Sequence, residues 1–282
     1  MAGFFGFFNY DKEGPGISKN APKKKTFIVF FETFFRNFWK FITVNVVYNI
    51  LSLFIVTNGF AAVGITNVTR NIARDKHSFG LSDFFETIKK NWKQAALAGI
   101  INVILYVIML FDVFFFYKQK SSLYTTLCLG VTFSLLFIFT LMNYYIWTMM
   151  ITFKFKLKQL YLNSFKFVFI NFKNNFICFI SMILVYAIYI GLFLISGKYW
   201  IYVLMVEIIL FTLTFPAFRY LLIQFCTFPA IKKFIIDPYY KEHPEEDIDK
   251  RQNLGIEVEI KKPEKKEGED GEEEEPENVF TD

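Results

Sequence analysis

Five stretches of this chain are long enough to cross a bilayer and nearly free of charge. Residues 41–69, 121–153 and 174–197 contain no Asp, Glu, Lys or Arg, residues 94–117 contain only Asp112, and residues 199–218 contain only Glu207. About 20 consecutive apolar residues span the hydrocarbon core of a membrane. A helix in a soluble core of that length carries a polar stripe at helical spacing, whereas these runs are apolar all round. Their solvent is therefore lipid. The expected fold is all-α: a polytopic transmembrane helical bundle.

Charge orients the bundle. Residues 1–236 hold 24 Lys/Arg against 8 Asp/Glu, and residues 237–282 hold 7 against 18. The bases of the body sit at the ends of apolar runs, which suits anionic lipid headgroups and the positive-inside rule rather than nucleic acid. Lys23, Lys24 and Lys25 place the N-terminal segment, residues 1–25, in the cytoplasm. The Pro- and Glu-rich residues 237–282 cannot bury a core and are expected to form an acidic, disordered cytoplasmic tail. Residues 26–236 then make the transmembrane domain.

Two near-copies precede the first spans. Residues 30–40 read Phe-Phe-Glu-Thr-Phe-Phe-Arg-Asn-Phe-Trp-Lys, and residues 84–93 read Phe-Phe-Glu-Thr-Ile-Lys-Lys-Asn-Trp-Lys. Each sets aromatic residues beside bases, with Arg36, Trp39 and Lys40 in the first and Lys89, Lys90, Trp92 and Lys93 in the second. In the second, Leu81, Phe84, Phe85, Ile88 and Trp92 recur at helical spacing. It is expected to lie flat at the headgroups, with Asp83 or Ser82 as its cap and a Glu86–Lys90 pair on the wet side. A third stripe, Leu157, Leu160, Tyr161, Phe165, Val168 and Phe172, repeats the pattern. The plan is about six membrane segments in three hairpins, each preceded by an interfacial amphipathic helix. The first hairpin follows from charge. Basic residues flank residues 41–69 on both sides, so the chain must return within it, with Thr57, Asn58 and Gly59 offering the break. The helix from Gly59 to Arg74 rises only about 24 Å, which makes it a short crossing or a re-entrant turn. Pro216 marks a kink near Phe215.

Polar groups in lipid are the candidate sites. Glu207 lies about 12 Å along its helix from Tyr199 and reads either as a proton- or cation-coupled group or as a hydrogen-bonded structural carboxyl. Asn45, Asn49, Asn102 and Asn143 lie inside spans and either line a route or bond between helices. No metal cluster, cofactor motif or catalytic constellation is visible: H-E-x-x-H and G-x-S-x-G are absent, and the chain is not expected to be an enzyme.

Phe7-Phe8-Asn9-Tyr10-Asp11-Lys12 with Gly14-Pro15-Gly16, then Ile55-Val56-Thr57-Asn58-Gly59, Val68-Thr69-Arg70, His77-Ser78-Phe79, Asp83-Phe84-Phe85 and Lys90-Asn91-Trp92-Lys93, resemble the YesL-like family of bacterial integral membrane proteins, a family of unknown function. The resemblance covers roughly residues 4–230 and is most specific over 7–95. It implies a protein of the bacterial plasma membrane, of a kind discussed beside carbohydrate-uptake and glycan-degradation systems; with the charge pattern, the expectation is a multi-pass protein with both termini cytoplasmic. The acidic tail is an addition to the family pattern, and Phe54 and Phe60 stand where the family pattern leads one to expect Pro. The resulting expectation is a non-enzymatic accessory component that acts through its basic inner face on anionic lipids or on ABC sugar-transporter subunits. The alternative is a secondary transporter or channel for a small solute.

Overall fold

The computed structural model describes residues 25–243, and every regular element among them is a helix. The expected N-terminal segment and the tail beyond His243 lie outside the described residues. In chain order the helices are α1 (Thr26–Arg36), α2 (Phe38–Ser52), α3 (Ile55–Ala73), α4 (Leu81–Lys118), α5 (Leu123–Met150), α6 (Leu157–Ile170), α7 (Phe172–Ile195), α8 (Trp200–Ile231) and α9 (Asp237–Glu242). Four of them, α4, α5, α7 and α8, are long and apolar enough to cross a membrane.

These four helices form two hairpins, α4/α5 and α7/α8. Ser122 starts α5 with a reciprocal cap: its Oγ accepts from Thr125 N at 3.2 Å, and Thr125 Oγ1 accepts from Ser122 N at 2.9 Å, which satisfies two donors at the helix start. The outer halves expose Ile108, Phe111, Val131, Leu184, Ile188 and Ile209, the surface that lipid covers. Burial concentrates at one end of the bundle, its inner end by packing, in the later turns of α5 and α8 and along nearly all of α3.

The first hairpin differs from the expected one. The break falls at Leu53 and Phe54, ahead of Thr57–Gly59, and Asn58 and Gly59 lie inside α3. The hairpin is also short. Gly59 sits against α4 so closely that a Cβ would lie 1.9 Å from Ala95 O, and a Cβ on Gly99 would lie 2.7 Å from Gly59 N. Only small residues allow two backbones this near. From Gly99, α4 continues to Lys118 for about 28 Å, while α3 reaches its own start four residues beyond Gly59. The α2/α3 turn, with Leu53 and Phe54 exposed, therefore ends well short of the far end of α4, and among the described residues four helices are long and apolar enough to cross, beside this short hairpin. The return itself is as charge required. Arg36 Nη2 meets Asp75 Oδ1 at 2.6 Å, and Lys40 Nζ donates to Ser78 O at 2.6 Å, so the start of α2 and the end of α3 share one face.

The interfacial helices are separate in two of the three copies. Asn37 (φ −108°, ψ 17°) parts α1 from α2, and Asn171 (φ −112°, ψ 30°) parts α6 from α7 in nearly the same conformation. In the second copy residues 81–93 run without a break into the span as part of the 38-residue α4, so they do not lie flat at the headgroups. The reason is the partner of the stripe. Phe84 is fully buried against Gly64, where a Cβ would come within 2.7 Å of its ring, while Phe85 and Trp92 turn outward. The helix starts after Gly80, whose φ of 62° suits glycine. Asp83 lies inside the first turn rather than at the cap, accepting from Ser78 Oγ at 2.8 Å and Phe79 N at 3.1 Å. In the third stripe Leu160 and Val168 are buried but Phe165 is exposed. Helix α8 continues to Ile231, and its Phe218 and Phe225 pack edge-on to Phe30 of α1 at 5.1 and 5.6 Å. Beyond residue 236, Tyr240 of α9 is still buried.

Gly59→Ala should lower stability in a mild-detergent unfolding titration by about 1–3 kcal/mol, the cost of overpacking. Gly130→Ala, where a Cβ meets nothing within 4 Å, should be neutral or slightly stabilising in the same assay.

Candidate functional site

Pro216 lies within α8 and has no N–H to give Thr212 O. Backbone freed in this way must find another partner in lipid. Asn49 Nδ2 donates to Thr212 O at 2.8 Å, Asn45 Nδ2 donates to Leu213 O at 2.6 Å, and Ala217 N donates to Asn45 Oδ1 at 2.9 Å. The i,i+4 spacing of the two asparagines on α2 thus matches the opened turn of α8. Asn45 and Asn49 hold a helix.

Asn102 and Asn143 are used in the same way. Asn102 Nδ2 donates to Asn143 Oδ1 at 2.7 Å, Tyr161 Oη donates to Asn102 Oδ1 at 2.7 Å, and Asn143 Nδ2 donates to Phe139 O at 3.0 Å. This network ties α4, α5 and α6. A parallel one ties α5, α7 and α8 through Tyr145 Oη to Asn175 Oδ1 (2.6 Å) and Asn171 Nδ2 to Tyr145 Oη and Cys226 O (2.9 and 3.0 Å). Tyr145, Tyr161, Asn171 and Asn175 were not foreseen as interhelical links. Asn171 and Asn175 carried the same i,i+4 signal that singled out Asn45 and Asn49.

Glu207 is half-buried on α8, about 10 Å from Trp200 along the axis, and its Oε1 is enclosed without a hydrogen-bond partner. Asp112 is half-buried on α4. The interfacial residues lie at the inner end. Lys90 Nζ pairs with Glu86 Oε1 at 3.2 Å as expected, Lys93 lies over the Trp92 ring at 5.4 Å, and Trp39 and Lys89 are exposed. Arg36, Asn37, Lys40, Ile72, Asp75, Lys76, His77 and Ser78 line an open groove of about 380 Å³.

A second, smaller cavity of about 130 Å³ lies between the start of α1, the end of α3 and the inner turns of α8. Arg70 and Arg74 line it with Thr26, Gln224, Phe225 and Phe228. Arg70 Nη1 donates to Ile151 O at 2.9 Å and Thr152 Oγ1 at 3.1 Å, and its Nη2 donates to Asn67 Oδ1 at 2.8 Å. The Arg74 guanidinium stacks on Phe228, 3.6 Å from the ring centroid. Burial, and then the Arg70 charge, pull the Arg74 pKa down to about 8. In the sequence both arginines are simply bases that follow residues 41–69. Their burial came from α3 packing on α8, which their spacing did not reveal.

The fold and its inner polar layer define a helical membrane bundle. A family model described as "Protein of unknown function, DUF624" matches residues 41–113, the stretch from α2 into the outer half of α4. DUF624 is the family that YesL typifies, and over those residues the chain is similar to it. No curated protein and no solved structure matches the chain.

Asn49→Ala should cost about 1 kcal/mol in the folded bundle, in the range of an interhelical hydrogen bond. The cost should shrink in a Pro216→Ala background, where Thr212 O regains a helical donor. A double-mutant cycle of unfolding free energies measures that coupling, and equal costs in both backgrounds would refute the clamp.

Proposed function

We propose that this protein is a non-enzymatic accessory component of the membrane that offers its inner basic face to an acidic surface of a partner. The observation that carries the reading is the division of polar groups. The intramembrane asparagines bond between helices, and the inner end holds an open groove lined by Arg36, Lys40, Lys76 and His77, more bases than acids even with Arg36 paired to Asp75 and Lys40 bonded to Ser78 O. Complementary charge across such a surface guides association and sets specificity. The link to carbohydrate uptake, with ABC sugar-transporter subunits as the partner, rests on the family resemblance.

Glu207 supports a second reading, a transporter or channel for a small solute, because an intramembrane carboxyl with an unpartnered oxygen is costly unless function uses it.

Pull-down from native membranes should recover transporter subunits with the full chain. Lys40→Glu with Lys76→Glu should reduce recovery about tenfold, by reversing charges that steer the contact, and raised salt should do the same. Proteoliposomes of the pure protein should show no solute flux. Flux that Glu207→Gln abolishes would replace the first reading with the second.

A further inference from the structure

The small cavity between α1, α3 and α8 is distinct from the open groove, and an inference about it stands independently of the accessory reading. Arg74 closes α3, and its side chain crosses to α8 to stack on Phe228. Its Nε and Nη2 are buried and have no hydrogen-bond partner. These two nitrogens form the side-on fork of a guanidinium, the edge that meets two oxygens of one oxyanion at once. Gln224 is almost wholly buried on the same cavity. Its Nε2 donates to Thr148 Oγ1 at 2.9 Å, while its Oε1 is also unpartnered. Buried polar atoms left unsatisfied are rare, and several beside one cavity call for a ligand.

We propose that this cavity binds a phosphate monoester group, gripped through two of its oxygens by the Nε–Nη2 edge of Arg74. The chemistry favours phosphate over carboxylate. A carboxylate only accepts, and would leave Gln224 Oε1 as it is. A phosphate monoester, whose second pKa is about 6, keeps a P–OH on part of its population, and that hydroxyl donates to Gln224 Oε1. Burial beside Arg70 also strains the Arg74 charge, and an anion relieves that strain. A cavity of about 130 Å³ is several times the share of one water, about 30 Å³, and admits a phosphoryl group. Two sources supply it: the headgroup of phosphatidic acid at the inner leaflet, or a soluble phosphate ester.

The test uses the full chain in phosphatidylcholine nanodiscs, with the thermal midpoint as readout. One arm titrates inorganic phosphate and glycerol 3-phosphate, and the other replaces phosphatidylcholine stepwise by phosphatidic acid. A saturable rise in midpoint is expected in one arm, and that arm identifies the source. Arg74→Gln should weaken the response about tenfold or more, as loss of a charge-assisted contact does. Arg74→Lys should weaken it severalfold, since it keeps the charge without the fork. Lys120→Gln, in the exposed turn between α4 and α5, should leave it unchanged. The proposal fails if neither arm saturates, if acetate binds as well as phosphate, or if Arg74→Lys retains wild-type affinity. That last arm decides the matter should Arg74→Gln not fold.

Discussion

A carbonyl set free inside a bilayer has no water to turn to, and the clamp between α2 and α8 answers that constraint. Pro216 opens a turn of α8, and Asn45 and Asn49 supply from α2 the partners that α8 lacks. Fixing α2 on α8 fixes the α2/α3 hairpin, because α3 follows α2 after two residues. The return of α3 then brings Arg70 and Arg74 against the inner turns of α8, where Gln224 and Phe228 wait. A backbone defect in one helix thereby positions a polar cavity some three turns away along the same helix.

Apolar helices in lipid gain little from hiding apolar surface against one another, so close packing and hydrogen bonds must hold them. The bundle uses both at its inner end. Gly59 and Gly99 let α3 and α4 touch backbone to backbone, and the Tyr161–Asn102 and Tyr145–Asn175 bonds join the α4/α5 hairpin to α6 and α7. The outer halves make few such contacts and present Ile, Leu and Phe to lipid. The bundle is consequently tight on the side where its cations gather and loose on the other. That asymmetry is why both functional inferences concern the inner end.

Much of this was legible in the residues, and particular failures show where legibility stopped. The near-copies hold up in detail: Asn37 Nδ2 donates to Thr33 O at 3.0 Å, and Asn91 Nδ2 donates to Thr87 O at 3.1 Å. Yet the chain breaks at Asn37 and runs on through Asn91. Local sequence is nearly the same at both, so the difference lies in the surroundings. After Asn91, Ala95, Ala98 and Gly99 continue the face that Phe84 and Thr87 bury, and a straight helix keeps all of it in contact. An amphipathic stripe tells which face is apolar but not whether lipid or protein covers it. For the same reason Phe84 was read as an interfacial residue and is a core residue.

What the sequence determined alone are the properties that depend on solvent and charge. Uncharged runs select lipid, and bases at their ends force the first hairpin to return, because each residue bears that cost whatever its neighbours are. What only the tertiary structure decided are the properties that need a partner from far along the chain. Asn45 meets Leu213 across 168 positions, and Arg70 meets Ile151 across 81. A hydrogen bond forms over about 3 Å and in one direction, so neither spacing nor composition tells an asparagine that lines a path from one that mends a helix.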